Sequence, residues 1–196
     1  MRDTQPSTPS GVRTTTAAVD RYVPGSGQHR RHLLVVLVND RPGVLNRVSS
    51  LLRARDFNIE SLAVGHSERP DVSRMTIVLH GDDFAVEQVS KQLYKLIDVL
   101  KVQDLGAEQR IEHELALIKV RVTKQDRAEA LKVAELYKAR IVDLGADHLI
   151  VEAAGTVAEI DAVIALLAGF GIKELVRTGA IAMARGSTAI KIEGGS

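Results

Sequence analysis

The chain has 196 residues, of which 45% are hydrophobic and 26% charged, and its 26 Lys and Arg residues nearly balance its 25 Asp and Glu residues. At roughly 100 to 150 residues per domain, this length allows one large domain or two small ones and excludes a large multidomain enzyme. The near-zero net charge, with three Phe, three Tyr and no Trp, argues against a nucleic-acid-binding protein, which needs a basic face and usually stacking aromatics.

Cysteine is absent, which excludes disulfides, thiolate metal sites and a cysteine nucleophile and fits a reducing, cytoplasmic location. No apolar run approaches the roughly 20 residues that span a bilayer. Residues 1–31 are rich in Arg, Thr, Ser, Gly and Pro and predict a disordered arm without a signal peptide. Residues 188–196 are interpreted in the same way, as a tail.

The first half of the remaining chain predicts six elements in the order strand, helix, strand, strand, helix, strand. Residues 32–38 (HLLVVLV) form an apolar run rich in β-branched residues, which is typical of a buried strand. Apolar residues at helical spacing predict one helix over about residues 42–55 and another that carries Val86, Val89 and Leu93 on one face. The other strands are predicted at residues 58–64, 74–79 and 98–105.

The same order recurs in the second half with little residue identity, so the repeat is one of architecture. Strands are predicted at residues 115–122, 140–144, 148–153 and 172–184. Asp126 and Thr156 are each followed three residues later by Glu, and these capping-box signals predict helices to about residues 138 and 169.

Connection rules turn each half into a fold. A strand-helix-strand crossover is right-handed, so both helices of each half lie on one face of its sheet. The sequence therefore predicts an α+β protein made of two ferredoxin-like βαββαβ sandwiches in tandem, at residues 32–106 and 112–187. The first strand is apolar at every position, so a partner surface or the second domain should cover its other face, and the sequence leaves these two alternatives open.

Catalytic and metal-binding patterns are absent from the sequence. It contains no G-x-S-x-G, H-E-x-x-H, P-loop or dinucleotide-binding motif, and its six His residues show no ligand-like pairing at helical spacing. We therefore expect neither a catalytic site nor a metal site.

One turn, at residues 39–45 (NDRPGVL), has the features of a ligand site. Pro42 sets the φ of a first helical turn, and Gly43 removes the side chain where the helix begins. Free N–H groups at a helix start favour a carboxylate by roughly 0.3 to 1 kcal/mol. Asp40 and Asn58 are placed to meet an ammonium group, and a small aliphatic pocket is expected from three residues: Val44, Ile59 and Leu62.

This turn also has a simpler interpretation. Asp40 or Asn39 caps the helix, Gly43 permits the turn and Asn58 ends a loop, and the pattern alone favours this interpretation. The matching turn of the second half, at residues 123–126, lacks Gly and predicts no equivalent site.

Longer segments are similar to a known family. The stretches VLVNDRPGVLNRVSSLLRARDFNIESLAVG and SRMTIVLHGDDFAVEQVSKQLYKLIDVLKV resemble the small regulatory subunit of acetolactate synthase (acetohydroxyacid synthase), whose N-terminal half is an ACT domain. ELALIKV and ELVRTGAIAMARG resemble the C-terminal domain of that family. The resemblance covers about residues 32–187, and FNIESL and SRMTIV are far more specific than a lone Gly turn.

The resemblance implies a non-catalytic subunit without cofactors of its own. Family members bind a large catalytic subunit that uses thiamine diphosphate, Mg²⁺ and FAD. They raise its activity and confer feedback inhibition by valine or other branched-chain amino acids. By similarity the effector site involves Asp40, Gly43, Val44, Asn58 and Ile59, and two ACT domains of a homodimer complete it. Many relatives have Asn where this chain has Asp40, and an acid there meets an ammonium but repels a nearby carboxylate.

Other classes of function are also consistent with the sequence. An ACT domain can sense amino acids for a different enzyme or for a transcription factor, and some ferredoxin-like folds are enzymes themselves. Others bind RNA on the sheet, but the strands at residues 33–38 and 74–79 contain no aromatic stacking residue.

Overall fold

The computed structural model describes residues 30–55, 57–106, 110–187 and 189–192. The predicted arm at 1–31 lies outside these residues except for Arg30 and Arg31, which belong to the first strand, so the prediction that the arm extends to residue 31 is wrong. Of the predicted tail at 188–196, residues 189–192 are described and form neither helix nor strand. The elements of the first half are β1 (Arg30–Asn39), α1 (Val44–Ala54), β2 (Ile59–His66), β3 (Val72–Gly81), α2 (Asp83–Leu93) and β4 (Val99–Asp104). Those of the second half are β5 (Arg110–Arg121), α3 (Arg127–Leu136), β6 (Arg140–Leu144), β7 (His148–Gly155), α4 (Val157–Ala168), β8 (Ile172–Arg177) and β9 (Ile181–Ala184).

The first sheet has the strand order β2-β3-β1-β4, and its neighbouring strands are antiparallel. Because β1 and β2 both run antiparallel to β3, they run in the same direction. Helices α1 and α2 pack on one face, where Leu34, Val36 and Ile77 form a core with residues such as Val48 and Val89.

The second half repeats this plan. Its sheet has the order β6-β7-β5-β8, and α3 and α4 cover one face over a core that includes Ile118, Leu149 and Val163. Both halves are therefore ferredoxin-like βαββαβ sandwiches, and the predicted fold class is confirmed.

The other face of the first sheet is covered by the C-terminal part of the chain. Leu33, Val35 and Val78 are fully buried on this face and pack with Ala180 and Ala182. Full burial of a large apolar side chain contributes about 1.5 to 3 kcal/mol, so this contact stabilises the joint between the halves. Of the two alternatives left open for β1, the structure shows the second half of the chain on this face.

The prediction of one strand over residues 172–184 is wrong. The segment bends at Gly179, whose φ is +77°, and a Cβ there would lie 2.7 Å from Ser61 Oγ. β8 stays in the second sheet, whereas β9 pairs with the first residues of β5, between Arg110 and His113. This pairing extends β5 back to Arg110, ahead of the predicted start at residue 115.

The two predicted capping boxes have different outcomes. The Thr156–Glu159 box is confirmed, because the Glu159 carboxylate accepts a hydrogen bond from the Thr156 N–H at 2.7 Å and Thr156 Oγ1 accepts one from the Glu159 N–H. The box predicted at Asp126 is wrong. That carboxylate makes no cap hydrogen bond and instead accepts one from Thr123 Oγ1 at 2.7 Å.

The described ranges contain neither a membrane-spanning helix nor a cluster of metal-ligating side chains. None of the helices in this part of the chain has both the length and the apolar character needed to cross a bilayer. Nor does any group of three or more His, Asp and Glu side chains there form a plausible metal site.

Candidate functional site

The turn between β1 and α1 is open to solvent. Asp40 and Gly43 are both exposed, and Gly43 adopts a φ of +83° at the N-cap of α1. Glycine reaches this left-handed conformation without steric cost. Because α1 begins at Val44, Pro42 lies in the turn and not in the first helical turn as predicted.

No side chain caps α1. The N-cap makes no side-chain hydrogen bond, and the first turn contains no acidic residue. Among the described residues, the N–H groups of Leu45 and Asn46 have no acceptor. The structure therefore does not support the interpretation that Asp40 or Asn39 caps this helix. The first turn keeps its partial positive charge available for a negatively charged group.

Asp40 provides the opposite charge beside this turn. Its carboxylate lies 3.3 Å from Nδ1 of His66 at the end of β2, and its backbone N–H donates to the carbonyl oxygen of Asp71. The side chain is thus held at the end of the sheet where β1 and β2 finish.

Three other predicted site residues lie elsewhere. Val44 is buried in the first core, so only its backbone faces the turn. Asn58 is exposed just before β2, and Ile59 is half-buried against the same core. Both line a shallow cavity of about 390 Å³ with three further residues, Ser49, Arg53 and Phe57.

The predicted site residues form two groups within one chain. Gly43 precedes α1 and Asn58 follows it, and the eleven residues of this helix span about 16 Å. Ile59 pairs with Leu79 at the end of the sheet opposite Asp40. A single chain therefore does not bring Asp40 and Gly43 together with Asn58 and Ile59.

Arg47, in the first turn of α1, lies next to this site and was missed by the sequence reasoning. Its Nη2 lies 2.5 Å from Oδ2 of Asp98, and its Nη1 lies 3.3 Å from the place that a Cβ on residue 43 would occupy. The spacing of four residues from Gly43 signals that Arg47 lies one helical turn further on. The sequence carries no signal for Asp98, which is 51 residues away.

The two edges of the first sheet differ in their protection. At β4, the Tyr94 hydroxyl donates to the Val102 carbonyl oxygen and accepts from the Val102 N–H, both at 3.0 Å, which blocks that edge. At β2, residues 61–65 (SLAVG) carry no charge and no proline. Edge strands in natural proteins usually carry charged residues or proline, which prevent pairing with another chain. Because residues 61–65 carry neither, β2 is the edge that is open to pairing.

Each half of the chain matches a known protein family. Residues 34–101 match the family described as the AHAS small subunit-like ACT domain, and residues 113–186 match the family described as the small subunit of acetolactate synthase.

Individual relatives agree with these matches. The chain is 50% identical over 157 residues to a probable acetolactate synthase small subunit of Archaeoglobus fulgidus, covering 80% of this chain and 98% of that protein. It is 45% identical over 159 residues to the acetolactate synthase small subunit of Mycobacterium leprae, covering 81% and 94%. The crystal structure of the acetolactate synthase small subunit from Thermotoga maritima matches with a TM-score of 0.77 and 40% identity, covering 81% of this chain and 99% of that one.

Proposed function

This chain belongs to the family of acetolactate synthase small subunits, and we propose from that membership that it activates a catalytic large subunit and confers feedback inhibition by valine or a related branched-chain amino acid. Thiamine diphosphate, Mg²⁺ and FAD are assigned to that partner. The product of the catalytic large subunit then enters the synthesis of the same branched-chain amino acids that act as effectors.

The proposed active form is a homodimer joined through β2. A two-fold axis at this open edge pairs the β2 strands of two copies in antiparallel fashion. Ile59 of one copy then lies near the end of β2 that carries His66 in the other, which is also the end that carries Asp40. The two groups of site residues, separated in one chain, come to the same end of the joined sheet.

The β4 edge is a poorer choice for this dimer. Tyr94 already occupies the outward-facing N–H and C=O groups of Val102. Joining β4 to β4 would also leave β1 of one copy five strands from β2 of the other, about 24 Å at the usual strand spacing. Joining β2 to β2 reduces the separation to three strands, about 14 Å.

Recognition of a free aliphatic amino acid follows from the groups at this end. The uncapped start of α1 attracts the carboxylate, and Asp40 attracts the ammonium group. Ile59 and the cavity beside Asn58, contributed by the second copy, receive the branched side chain. The single observation on which this proposal depends most is the uncapped, glycine-initiated helix start at Gly43.

Regulation then follows from linkage. An effector that lies between two copies binds one arrangement of the dimer more tightly than another, and this difference is the free energy available to change the catalytic partner. The usual scale is about 1 to 3 kcal/mol, or about 5- to 150-fold.

The test is reconstitution with the large subunit and titration with valine, leucine and isoleucine. Gly43→Asp adds bulk and negative charge at the carboxylate position, so we expect loss of inhibition with activation retained. Asn58→Ala should weaken inhibition. Gly171→Asp is the matched control, because Gly171 has a similar φ of +89° and open space around it in the second half, and it should keep both responses.

Two results would contradict the proposal. Unchanged inhibition in Gly43→Asp would place the effector elsewhere. A wild-type chain that leaves the activity of the large subunit unchanged, with and without amino acids, would overturn the regulatory function itself.

A further inference from the structure

We propose that Arg47, held in place by Asp98, binds the carboxylate of the effector. This inference rests on the proposed function and adds a specificity-determining residue to its site. The contacts of Arg47, the burial of Asp98 and the distribution of charge around Gly43 support it.

Arg47 lies where a carboxylate would bind. Its Nη1 is 3.3 Å from the Cβ position of residue 43, so the guanidinium covers the turn that leads into α1. A guanidinium has five N–H donors, and the described contacts of Arg47 use one of them, from Nη2 to Asp98. The remaining donors are available next to the N–H groups of Leu45 and Asn46. A planar guanidinium with free donors is suited to bidentate binding of a carboxylate.

Asp98 fixes the position of this guanidinium. The Asp98 side chain is 7% exposed, whereas that of Arg47 is 46% exposed. The Asp98 carbonyl oxygen also accepts a hydrogen bond from the Asn39 N–H at 2.8 Å. Asp98 therefore contacts both ends of the turn, at the last residue of β1 and in the first helical turn. A buried carboxylate that holds an exposed arginine reduces the conformational entropy that the arginine loses when it binds a ligand.

The charges on the two sides of Gly43 match an amino acid zwitterion. Asp40 stands beside His66, and Arg47 stands over the helix start. Without Arg47, the Asp40 carboxylate would repel the carboxylate of a ligand bound at this turn. With Arg47 the turn offers one negative and one positive group, for the ammonium and the carboxylate respectively.

The decisive comparison is between valine and valinamide, which keeps the ammonium group and the side chain but lacks the carboxylate. Binding of each to the full-length chain is measured by calorimetry, and inhibition is measured with the large subunit present. For the wild-type chain we expect valine to bind about tenfold to a hundredfold more tightly, the usual range for hydrogen bonds to charged groups. In Arg47→Met the affinity for valine should fall toward that for valinamide, while the affinity for valinamide stays nearly constant.

Further variants keep the result interpretable. Arg47→Lys retains the charge without the planar guanidinium and should show an intermediate preference for valine over valinamide. This variant replaces Arg47→Met as the test if Arg47→Met folds poorly. Asp98→Asn should reduce discrimination by releasing Arg47. Arg140→Met, which removes an exposed Arg 2.8 Å from Glu152 in the second half, is the matched control and should discriminate as the wild type does.

The outcomes separate this inference from the proposed function. If Arg47→Met weakens valine and valinamide by the same factor, Arg47 has a structural role and the inference fails while the effector site stands. The same holds if Arg47→Met keeps the wild-type preference. If the wild-type chain binds neither compound, the effector site and this inference both fail.

Discussion

Arg74 of β3 donates a hydrogen bond from Nη2 to the carbonyl oxygen of Ala182 in β9, at 2.6 Å. This contact joins the two halves of the chain beside the cluster of Leu33, Val35 and Val78. Burial lowers the pKa of Arg74 from its ordinary value, and the charge of Glu68 opposes this effect. The guanidinium of this strand arginine thus contacts the backbone of the other half.

Arg74→Met should therefore weaken the joint between the halves. We expect a loss of about 1 to 2 kcal/mol in the free energy of unfolding, because the Ala182 carbonyl loses a hydrogen bond from a charged donor. This free energy is measured by unfolding in urea, monitored by circular dichroism. Arg55→Met, at an exposed position after α1, should have almost no effect. Equal stability of the two variants would contradict a stabilising role for the Arg74 contact.

Leu33→Ala tests the apolar part of the same joint. Leu33 is fully buried against the segment that contains Ala180 and Ala182, so its truncation should leave a cavity and cost about 2 to 5 kcal/mol. Leu45→Ala, at an exposed position of α1, should change stability by less than about 0.5 kcal/mol. The measurement is again the free energy of unfolding in urea, and a small effect of Leu33→Ala would mean that the cluster contributes little.

Glu112 should make stability depend on pH. Its burial raises the pKa of its carboxyl, but the hydrogen bond from Arg31 at 2.6 Å and the charges of Arg31 and Arg110 outweigh this effect, so the pKa lies below its ordinary value. The folded protein thus binds this proton less readily than the unfolded chain. The stabilisation is present above the pKa that the carboxyl has in the unfolded chain and is lost as the pH falls through the lower folded pKa.

The measurement is the free energy of unfolding as a function of pH, from neutral pH into the acid range. Glu112→Gln should make this free energy fall less steeply at acid pH, since the variant has no proton to gain at that position. Glu87→Gln, in an exposed helical pair with Lys91, removes the same charge and should keep the wild-type slope. An unchanged slope in Glu112→Gln would show that other carboxyls account for the acid sensitivity.

The proposed dimer edge gives a further prediction. Val64→Lys places a charge on the open β2 edge, and charged side chains on edge strands oppose pairing between chains. We expect sedimentation velocity to show monomers, with weakened binding of valine because the second half of the site is lost. Val142→Lys on β6 is the matched control, since Val142 is 43% exposed and Val64 47%. A Val64→Lys protein that remains dimeric would rule out this edge.

The element order and both cores could be predicted because they depend on local periodicity. Alternating or helically spaced apolar residues determine which face is buried, and crossover rules then leave one topology. The bend at Gly179 could not be predicted in this way. Residues 172–184 read as one strand, and the contact of Gly179 with Ser61 joins positions far apart in the chain.

The sequence likewise predicts some features of the candidate site and not others. The helix start at Gly43 was visible in the sequence because a proline and a glycine mark it. The position of Arg47 was not visible, since it depends on Asp98 in the turn just before β4. The predicted helix over residues 42–55 already separates Asn58 from Gly43, but the position of Ile59 at the end of the sheet opposite Asp40 emerges only from the pairing of β2 with β3.

The packing of Ala180 and Ala182 on Leu33 also has a consequence for biosynthesis. Translation completes the first sheet and its helices well before the residues that cover its second face leave the ribosome. Throughout that interval a nascent chain presents a bare apolar surface, and such surfaces make partly folded proteins prone to aggregation. A product terminated before residue 180 would keep that surface permanently, so we expect early stop codons to yield a chaperone client and not a free-standing N-terminal fragment.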